Sequence, residues 1–148
     1  MLTVYIGWDS REPIAADVCR YSILEHASIP VNIVMLKQDE LRKRELYWRD
    51  VDKLASTEFT FTRFLVPELN NFEETAIFMD SDMVLTTDIA ELIADVDPKK
   101  AVSCVQHDYT PPEGVKMDGQ QQLAYPRKNW SSMVVWNCAH PANKQVTK

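Results

Sequence analysis

One short stretch constrains this chain more than any other, because a strand typical of a protein core runs directly into two carboxylates. It reads AIFMDSDMVL, with Asp80 and Asp82 one residue apart in an otherwise apolar run. In an extended segment both aspartates face the same side, where like charges repel each other unless a cation separates them. Divalent cations prefer such hard oxygen ligands. The stretch therefore predicts a buried strand that ends at a metal site, with a simple turn as the alternative.

Strands and helices alternate around this motif. The predicted strands read LTVYIG, VNIVML, TAIFMD, AVSCVQ and SSMVVWN, and the predicted helices cover residues 13–27, 38–46, 58–70 and 88–94. Asp9 or Ser10 is expected to cap the first helix, Asp88 to cap the last, and Pro67 to bend the third. Residues 109–128 are predicted to be mostly loop. This alternation predicts one α/β domain over residues 1–148, with three α/β/α layers and a mainly parallel sheet.

The composition narrows the class of protein. The net charge is −6 and the basic run near residue 43 is interleaved with acids, so we expect no nucleic-acid partner. The three cysteines are far apart in the sequence and odd in number, which favours a reducing compartment. The sequence contains no 18-residue apolar run and no recognisable signal peptide. We therefore expect a cytoplasmic protein without a transmembrane segment.

Ligands of open α/β sheets bind outside the carboxyl ends of the strands. Two places satisfy this rule, namely GWDSR after the first strand and DSD after the third. IFMDSDMVL also resembles the motif of haloacid-dehalogenase-type phosphatases, with Asp80 as nucleophile and Asp82 as acid/base. That family needs a downstream lysine and a further acidic pair, which are not recognisable here, and its motif usually follows the first strand. Because the local motif matches and these other features do not, a phosphatase is the alternative function and not the first one.

A longer resemblance covers most of the chain. The stretch STEFTFTRFLVPELNNFEETAIFMDSDMVLTTDIAELI is similar to family 8 glycosyltransferases, the glycogenin and galactosyltransferase-like group with a GT-A fold. It contains the R-F-L-V-P-E-L segment with Arg63, the apolar strand, the DxD, and then V-x-x-x-D-I-x-E-L. The opening VYIGWDSREP is similar to the family's first strand and nucleotide-contacting turn, and WSSMVVWNCAHP to its N-S-G-V strand.

This resemblance implies a Rossmann-like fold and a set of site residues. Asp80 and Asp82 would bind Mn²⁺ or Mg²⁺. Nucleotide-sugar contacts are expected from the ends of the first and third strands and from the helix between them: Ile6, Gly7, Trp8, Asp9, Arg11, Arg63, Asp80 and Ser81. Asn129 and Ser131 are weaker candidates for sugar or acceptor contact, because the family's N-S-G is altered to W-S-S here. No catalytic residue is assigned.

The implied activity is transfer of a hexose from a nucleotide-diphospho-sugar, UDP-linked, to a hydroxyl acceptor. Family members also carry a C-terminal His-x-x-Gly-x-x-Lys-Pro-Trp segment, whose histidine completes the metal site, and this sequence ends at HPANKQVTK. We therefore expect a C-terminally truncated GT-A-like domain, and a non-catalytic donor-binding remnant is a second alternative. Because an incomplete domain exposes sheet surface, a homo-oligomer is a further expectation.

Overall fold

The computed structural model describes residues 1–52, 55–108, 114–115, 121–122 and 129–146. The strands are β1 (Leu2–Gly7), β2 (Val31–Leu36), β3 (Thr75–Met79), β4 (Val102–Cys104), β5 (Gly114–Val115), β6 (Gln121–Gln122) and β7 (Met133–Asn137). The α-helices are α1 (Pro13–His26), α2 (Gln38–Lys43), α3 (Val66–Leu69) and α4 (Ile89–Ala94). Two 3₁₀ helices cover Thr62–Leu65 and Pro141–Gln145.

A five-stranded mixed sheet forms the centre of the fold, in the order β2-β1-β3-β7-β4. β1 runs parallel to both β2 and β3, whereas β7 is antiparallel to both of its neighbours, β3 and β4. β5 and β6 form a separate antiparallel pair. The predicted α/β architecture with a mainly parallel sheet is confirmed.

The central strands are apolar on both faces, which explains their nearly continuous hydrophobic sequences. Val4 and Ile6 of β1 pack with Ile77 and Met79 of β3 on one face of the sheet. On the opposite face, β1 and β3 contribute Tyr5, Ala76 and Phe78. α1 and α4 cover the first face, and α2, α3 and the 3₁₀ helix Thr62–Leu65 cover the second, so the sheet lies between two helical layers.

Helix α1 forms where its apolar spacing predicts it, but the residues that define this spacing face outward. Ile14 is 75% exposed and Tyr21 is 67% exposed, whereas Ala16, Cys19 and Ile23 are fully buried against the sheet. Small residues let the helix axis approach the strands closely. The interior face of α1 is therefore less conspicuous in the sequence than its exposed face.

Several predicted local features differ from the structure. Residues 58–70 form a turn, a 3₁₀ helix and the short helix α3, and not one bent helix. Pro67 lies in the first turn of α3, where a residue needs no backbone hydrogen-bond donor, so a new helix begins there. Glu12, and neither Asp9 nor Ser10, occupies the N-cap position of α1, and Pro13 follows it as expected. Asp88 does cap α4, with its carboxylate accepting from the Ala90 amide at 3.0 Å.

The remaining differences concern element lengths. α2 ends at Lys43, β4 covers Val102–Cys104, and β7 begins at Met133, so each is shorter than predicted. The predicted loop at 109–128 lies outside the described residues except for β5 and β6. Within the described part of the chain, no helix is long and apolar enough to cross a membrane.

Candidate functional site

The two predicted ligand positions lie at the same edge of the sheet. β1 and β3 are parallel neighbours with Ile6 opposite Met79, so the turns that follow them leave the sheet side by side. Asp9 follows β1, and Asp80 and Asp82 follow β3. The topology therefore places both segments at the carboxyl ends of neighbouring parallel strands.

Gly7 ends β1 because a larger side chain has no room there. A Cβ atom built on Gly7 would lie 2.5 Å from ring carbons of Phe59, far inside van der Waals contact. Phe59 is itself buried and packs on Phe78 with a centroid separation of 6.1 Å. Gly7 thus lets the segment around residue 59 close over the end of β1. Ile6 is also fully buried, so its side chain is not available to a ligand.

Asp9 is buried and all its hydrogen-bonding capacity faces the protein. Its Oδ1 accepts from the Arg11 amide at 3.0 Å and from Arg11 Nε at 2.9 Å. Its Oδ2 accepts from Arg11 Nη2 at 2.8 Å and from the Glu58 amide at 3.2 Å. The hydrogen bonds from Arg11 outweigh the cost of burial and lower the pKa of Asp9 to about 2. Asp9 is therefore an ionised residue that organises the turn.

The same turn is tied to the segment around residue 58. Ser10 Oγ donates to the Glu58 carboxylate, and the Ser10 amide lies 3.3 Å from the other carboxylate oxygen. Arg11 Nη2 also donates to the Ser56 carbonyl at 2.8 Å. These contacts, together with those of Asp9, hold the β1 turn in one conformation. Sequence reasoning identified Asp9 and Arg11 but missed Glu58, which is distant in the chain.

Trp8 is half-buried beside this turn. The Nζ atom of Lys37 lies 5.1 Å from the centroid of the Trp8 ring, and it also pairs with Glu40 at 3.4 Å. Lys37 follows β2, the neighbour of β1, so it belongs to the same edge of the sheet. Its position adds a cation to the site that the sequence pattern did not indicate, because a lysine after a strand is common in any α/β protein.

Asp80 has surroundings unlike those of Asp9. Its side chain is 20% exposed, and its Oδ1 lies 3.1 Å from Arg63 Nη1 as an ion pair. Among the described residues, no group donates a hydrogen bond to this buried oxygen. Burial is the main cause that raises the pKa of Asp80 to about 6; the charge of Asp82 adds to the rise, and Arg63 and Ser132 oppose it.

Ser81 is buried, whereas Asp82 is exposed. Asp82 lines a cavity of about 550 Å³ that lies between the segment after β3, helix α4 and β7. Met83, Leu85 and Met133 contribute apolar walls to this cavity. Residues 81 and 82 form a turn, so the two aspartates do not share one side as an extended segment would predict. Asp80 faces the protein interior, and Asp82 faces solvent and the cavity.

Arg63 lies beside the end of β3, next to Asp80. Its Nη1 donates to the Ser131 carbonyl at 2.7 Å and to Ser131 Oγ at 3.2 Å. Asn129 begins the turn that contains Ser131, with a φ of 64° and a carbonyl that accepts from the Ser132 amide at 3.1 Å. Asparagine tolerates this left-handed conformation better than most residues. Of the two weaker candidates for sugar contact, Asn129 is exposed to solvent, whereas Ser131 accepts hydrogen bonds from Arg63.

The residues present partly fit a divalent cation. Asp80 offers a buried oxygen that accepts no hydrogen bond from the described residues and lies 3.1 Å from Arg63 Nη1. Asp82, two residues further along the chain, offers an exposed carboxylate. Hard oxygen ligands of this kind suit Mn²⁺ and Mg²⁺. Among the described residues, no cluster of three or more His, Cys, Asp or Glu is arranged to hold a metal. The described chain therefore supplies a pair of candidate ligands.

The fold and the strand-end site define a class of architecture, the GT-A type of Rossmann-like fold. Solved structures of this type match at high coverage. The apo structure of the bifunctional glycosyltransferase WbbM matches with a TM-score of 0.63 and 17% identity, over 97% of this chain and 32% of that one. The galactosyltransferase LgtC, in complex with donor and acceptor sugar analogs, matches with a TM-score of 0.54 and 9% identity, over 93% of this chain and 58% of that one.

A third match is the glycosyltransferase GlyE of Streptococcus pneumoniae, with a TM-score of 0.54 and 15% identity over 97% of this chain and 36% of that one. In sequence, the chain is similar to Protein CDI of Arabidopsis thaliana, with 51% identity over 144 residues that cover 97% of this chain. It spans 56% of the length of that relative. The chain matches no protein-family profile.

Proposed function

We propose that this chain is a metal-dependent glycosyltransferase, or the donor-binding domain of one. Its reaction would move a hexose from a UDP-linked sugar to a hydroxyl acceptor. The observation that carries the proposal is the pair Asp80 and Asp82 at the carboxyl edge of the sheet, where one buried carboxylate oxygen accepts no hydrogen bond from the described residues. The three neighbours named above share the fold and are glycosyltransferases, which supports the proposed activity.

Each part of the site would have a separate task. Asp80 and Asp82 would hold Mn²⁺ or Mg²⁺, which neutralises charge on a diphosphate leaving group. Trp8 offers an aromatic surface beside the β1 turn, and the nearby ammonium of Lys37 offers charge for a nucleotide. Asp9 would act through the turn that it organises, since both its oxygens already accept hydrogen bonds. The base would then meet the main chain of residues 7–9.

The phosphatase alternative has less support. An aspartate nucleophile must reach a phosphorus atom, whereas Oδ1 of Asp80 is buried and lies 3.1 Å from Arg63 Nη1. The exposed carboxylate is Asp82, which that mechanism would use as acid/base. The structural neighbours named above are glycosyltransferases, which favours the first proposal.

The decisive experiment measures UDP binding with and without Mn²⁺ by calorimetry. We expect wild-type binding in the high-micromolar to millimolar range, as an order of magnitude. Asp82→Asn should lose the part of the affinity that depends on Mn²⁺, because one of two candidate ligands is removed. Its thermal stability should change by less than about 1 kcal/mol, since Asp82 is exposed.

Asp17→Asn is the matched control, because Asp17 is an exposed aspartate on α1. It should bind UDP as wild type does, with and without Mn²⁺. Equal affinities of wild type and Asp82→Asn in the presence of Mn²⁺ would refute the metal role. Turnover of an aryl phosphate with Mg²⁺ that disappears in Asp80→Asn would promote the phosphatase alternative.

A further inference from the structure

The two arginines of the candidate site differ in their access to ligands. The side chain of Arg11 is 51% exposed, whereas that of Arg63 is 10% exposed. A resemblance to donor-binding enzymes suggests both as contacts for phosphates or sugar. A side chain that binds a diphosphate must be accessible from solvent. The exposure of Arg11 is compatible with such a contact, and the burial of Arg63 argues against it.

Arg63 links three segments that come from different parts of the chain. Its Nη1 donates to the Ser131 carbonyl at 2.7 Å and to Ser131 Oγ at 3.2 Å, in the turn before β7. The same nitrogen lies 3.1 Å from Asp80 Oδ1 at the end of β3. Its Nε donates to the Phe59 carbonyl at 3.4 Å. One guanidinium thus contacts the segment over β1, the end of β3 and the start of β7.

Aromatic rings fix the plane of this guanidinium. The Arg63 Cζ atom lies 5.4 Å from the ring centroid of Phe59 and 4.9 Å from that of Phe78. A flat, delocalised cation gains from such contacts, and a lysine ammonium cannot reproduce both the fork and the stacking. A movement of the guanidinium toward a ligand would weaken its ring contacts and its hydrogen bond to the Ser131 carbonyl.

We propose that Arg63 is a positioning residue, which sets the placement of Asp80 relative to the Ser131 turn and does not contact the donor diphosphate. The inference builds on the proposed function, in which Asp80 helps to hold the cation. Asp80 and the turn are also joined by the Asp80 amide, which donates to the Ser132 carbonyl at 2.8 Å. Arg63 contacts both sides of this junction, Ser131 and Asp80. Its loss should therefore weaken the hydrogen bond between the Asp80 amide and the Ser132 carbonyl even without a ligand.

The first test needs no ligand and follows amide hydrogen exchange in Arg63→Lys. Exchange at the Asp80 amide should become about tenfold faster, which corresponds to the loss of one charge-assisted hydrogen bond. Amides that pair β1 with β2 should keep their rates. Arg42→Lys is the matched control, since Arg42 also stacks on a ring, that of Tyr47 at 4.8 Å, and donates to the Arg49 carbonyl. Unchanged exchange at Asp80 in Arg63→Lys would overturn the proposal.

The second test separates positioning from direct contact by titrating UDP with Mn²⁺ or with EDTA. We expect Arg63→Lys to weaken binding with Mn²⁺ by about tenfold and to leave metal-free binding unchanged. An equal loss under both conditions would identify a direct diphosphate contact and overturn the proposal. If wild type binds no UDP under either condition, the proposed function is wrong, while the exchange experiment still decides the role of Arg63.

A measurement on the wild-type protein covers the case in which Arg63→Lys does not fold. The ¹⁵N resonance of Arg63 Nε should stay in place when millimolar UDP is added in EDTA, because its partners remain the Phe59 carbonyl and the two rings. A large shift of this resonance with metal-free UDP would show that the guanidinium leaves its position for the nucleotide, which contradicts the proposal.

Discussion

Two aspartates follow neighbouring parallel strands in this protein, and each has an arginine partner, yet their electrostatic surroundings are opposite. Asp9 receives four hydrogen bonds, and its pKa falls to about 2. Asp80 has one oxygen without a hydrogen bond from the described residues, and burial raises its pKa to about 6. The difference teaches that a carboxylate with a full set of hydrogen bonds stabilises a turn, whereas one that is buried with fewer hydrogen bonds at the same sheet edge is a candidate for binding a ligand.

The signs of the two pKa changes give opposite contributions to stability. The folded-state pKa of Asp9 lies below its ordinary value of 3.8, so its ionised form stabilises the fold above pH 4, and this stabilisation is lost as the pH falls toward 2. The folded-state pKa of Asp80 lies above 3.8, so stability is lost as the pH rises from about 4 to about 6, because the unfolded chain ionises there while folded Asp80 keeps its proton.

The largest expected effect is the loss of stability in Asp9→Asn. At pH 7 this change should lower the free energy of unfolding by about 2–3 kcal/mol, since an amide cannot accept the same set of charge-assisted bonds. The loss should shrink at pH 3, where wild-type Asp9 begins to lose its own advantage. Urea unfolding at the two pH values measures both, with Asp17→Asn as the control. An equal loss at pH 7 and pH 3 would contradict the ionic explanation.

The next effect has the opposite sign and uses Asp80→Asn in metal-free protein. At pH 7.5 the free energy of unfolding should rise by about 1–2 kcal/mol, because the variant no longer buries a charge whose solvation is poorly replaced. At pH 3 Asp80 is protonated in both the folded and the unfolded wild-type chain, so the two proteins should unfold alike. A clear destabilisation of Asp80→Asn at pH 7.5 would show that the ion pair with Arg63 outweighs burial, and the comparison with Asp9 would fail.

The smallest expected effect concerns the arginine partner of Asp80. Ser131→Ala removes the hydroxyl that lies 3.2 Å from Arg63 Nη1 and keeps the carbonyl that lies 2.7 Å from it. The free energy of unfolding should fall by about 0.5–1 kcal/mol, the value of one modest hydrogen bond. Thermal unfolding measures the change. A loss above about 2 kcal/mol would mean that the hydroxyl, rather than the main chain, anchors the turn.

The sequence predicted best those features that a local residue pattern determines by itself. The apolar strands predicted the mainly parallel sheet, because strands buried on both faces need continuous apolar sequence. Asp88 was predicted as a helix cap for a local reason and is one. The metal and nucleotide roles of the site residues stay predictions.

Other features depend on contacts between distant segments, which periodicity does not encode. Ile14 and Tyr21 gave α1 its apolar spacing, although the close approach to the sheet is made by Ala16 and Cys19. Gly7 was predicted to contact a nucleotide. In the structure, the ring of Phe59 leaves no room for a side chain at this position. Burial of a cation between two aromatic rings is equally invisible in a single sequence.

The antiparallel strand β7 has a consequence for synthesis of the chain on the ribosome. β3 pairs with β1 on one side and with β7 on the other, and β7 begins at Met133, long after β3 ends at Met79. A nascent chain that has emerged only as far as β4 therefore leaves the backbone N–H and C=O groups on one edge of β3 unpaired. Unpaired edges of this kind invite pairing with other chains. The sheet is therefore protected against misassembly only after β7 has left the ribosome and paired with β3.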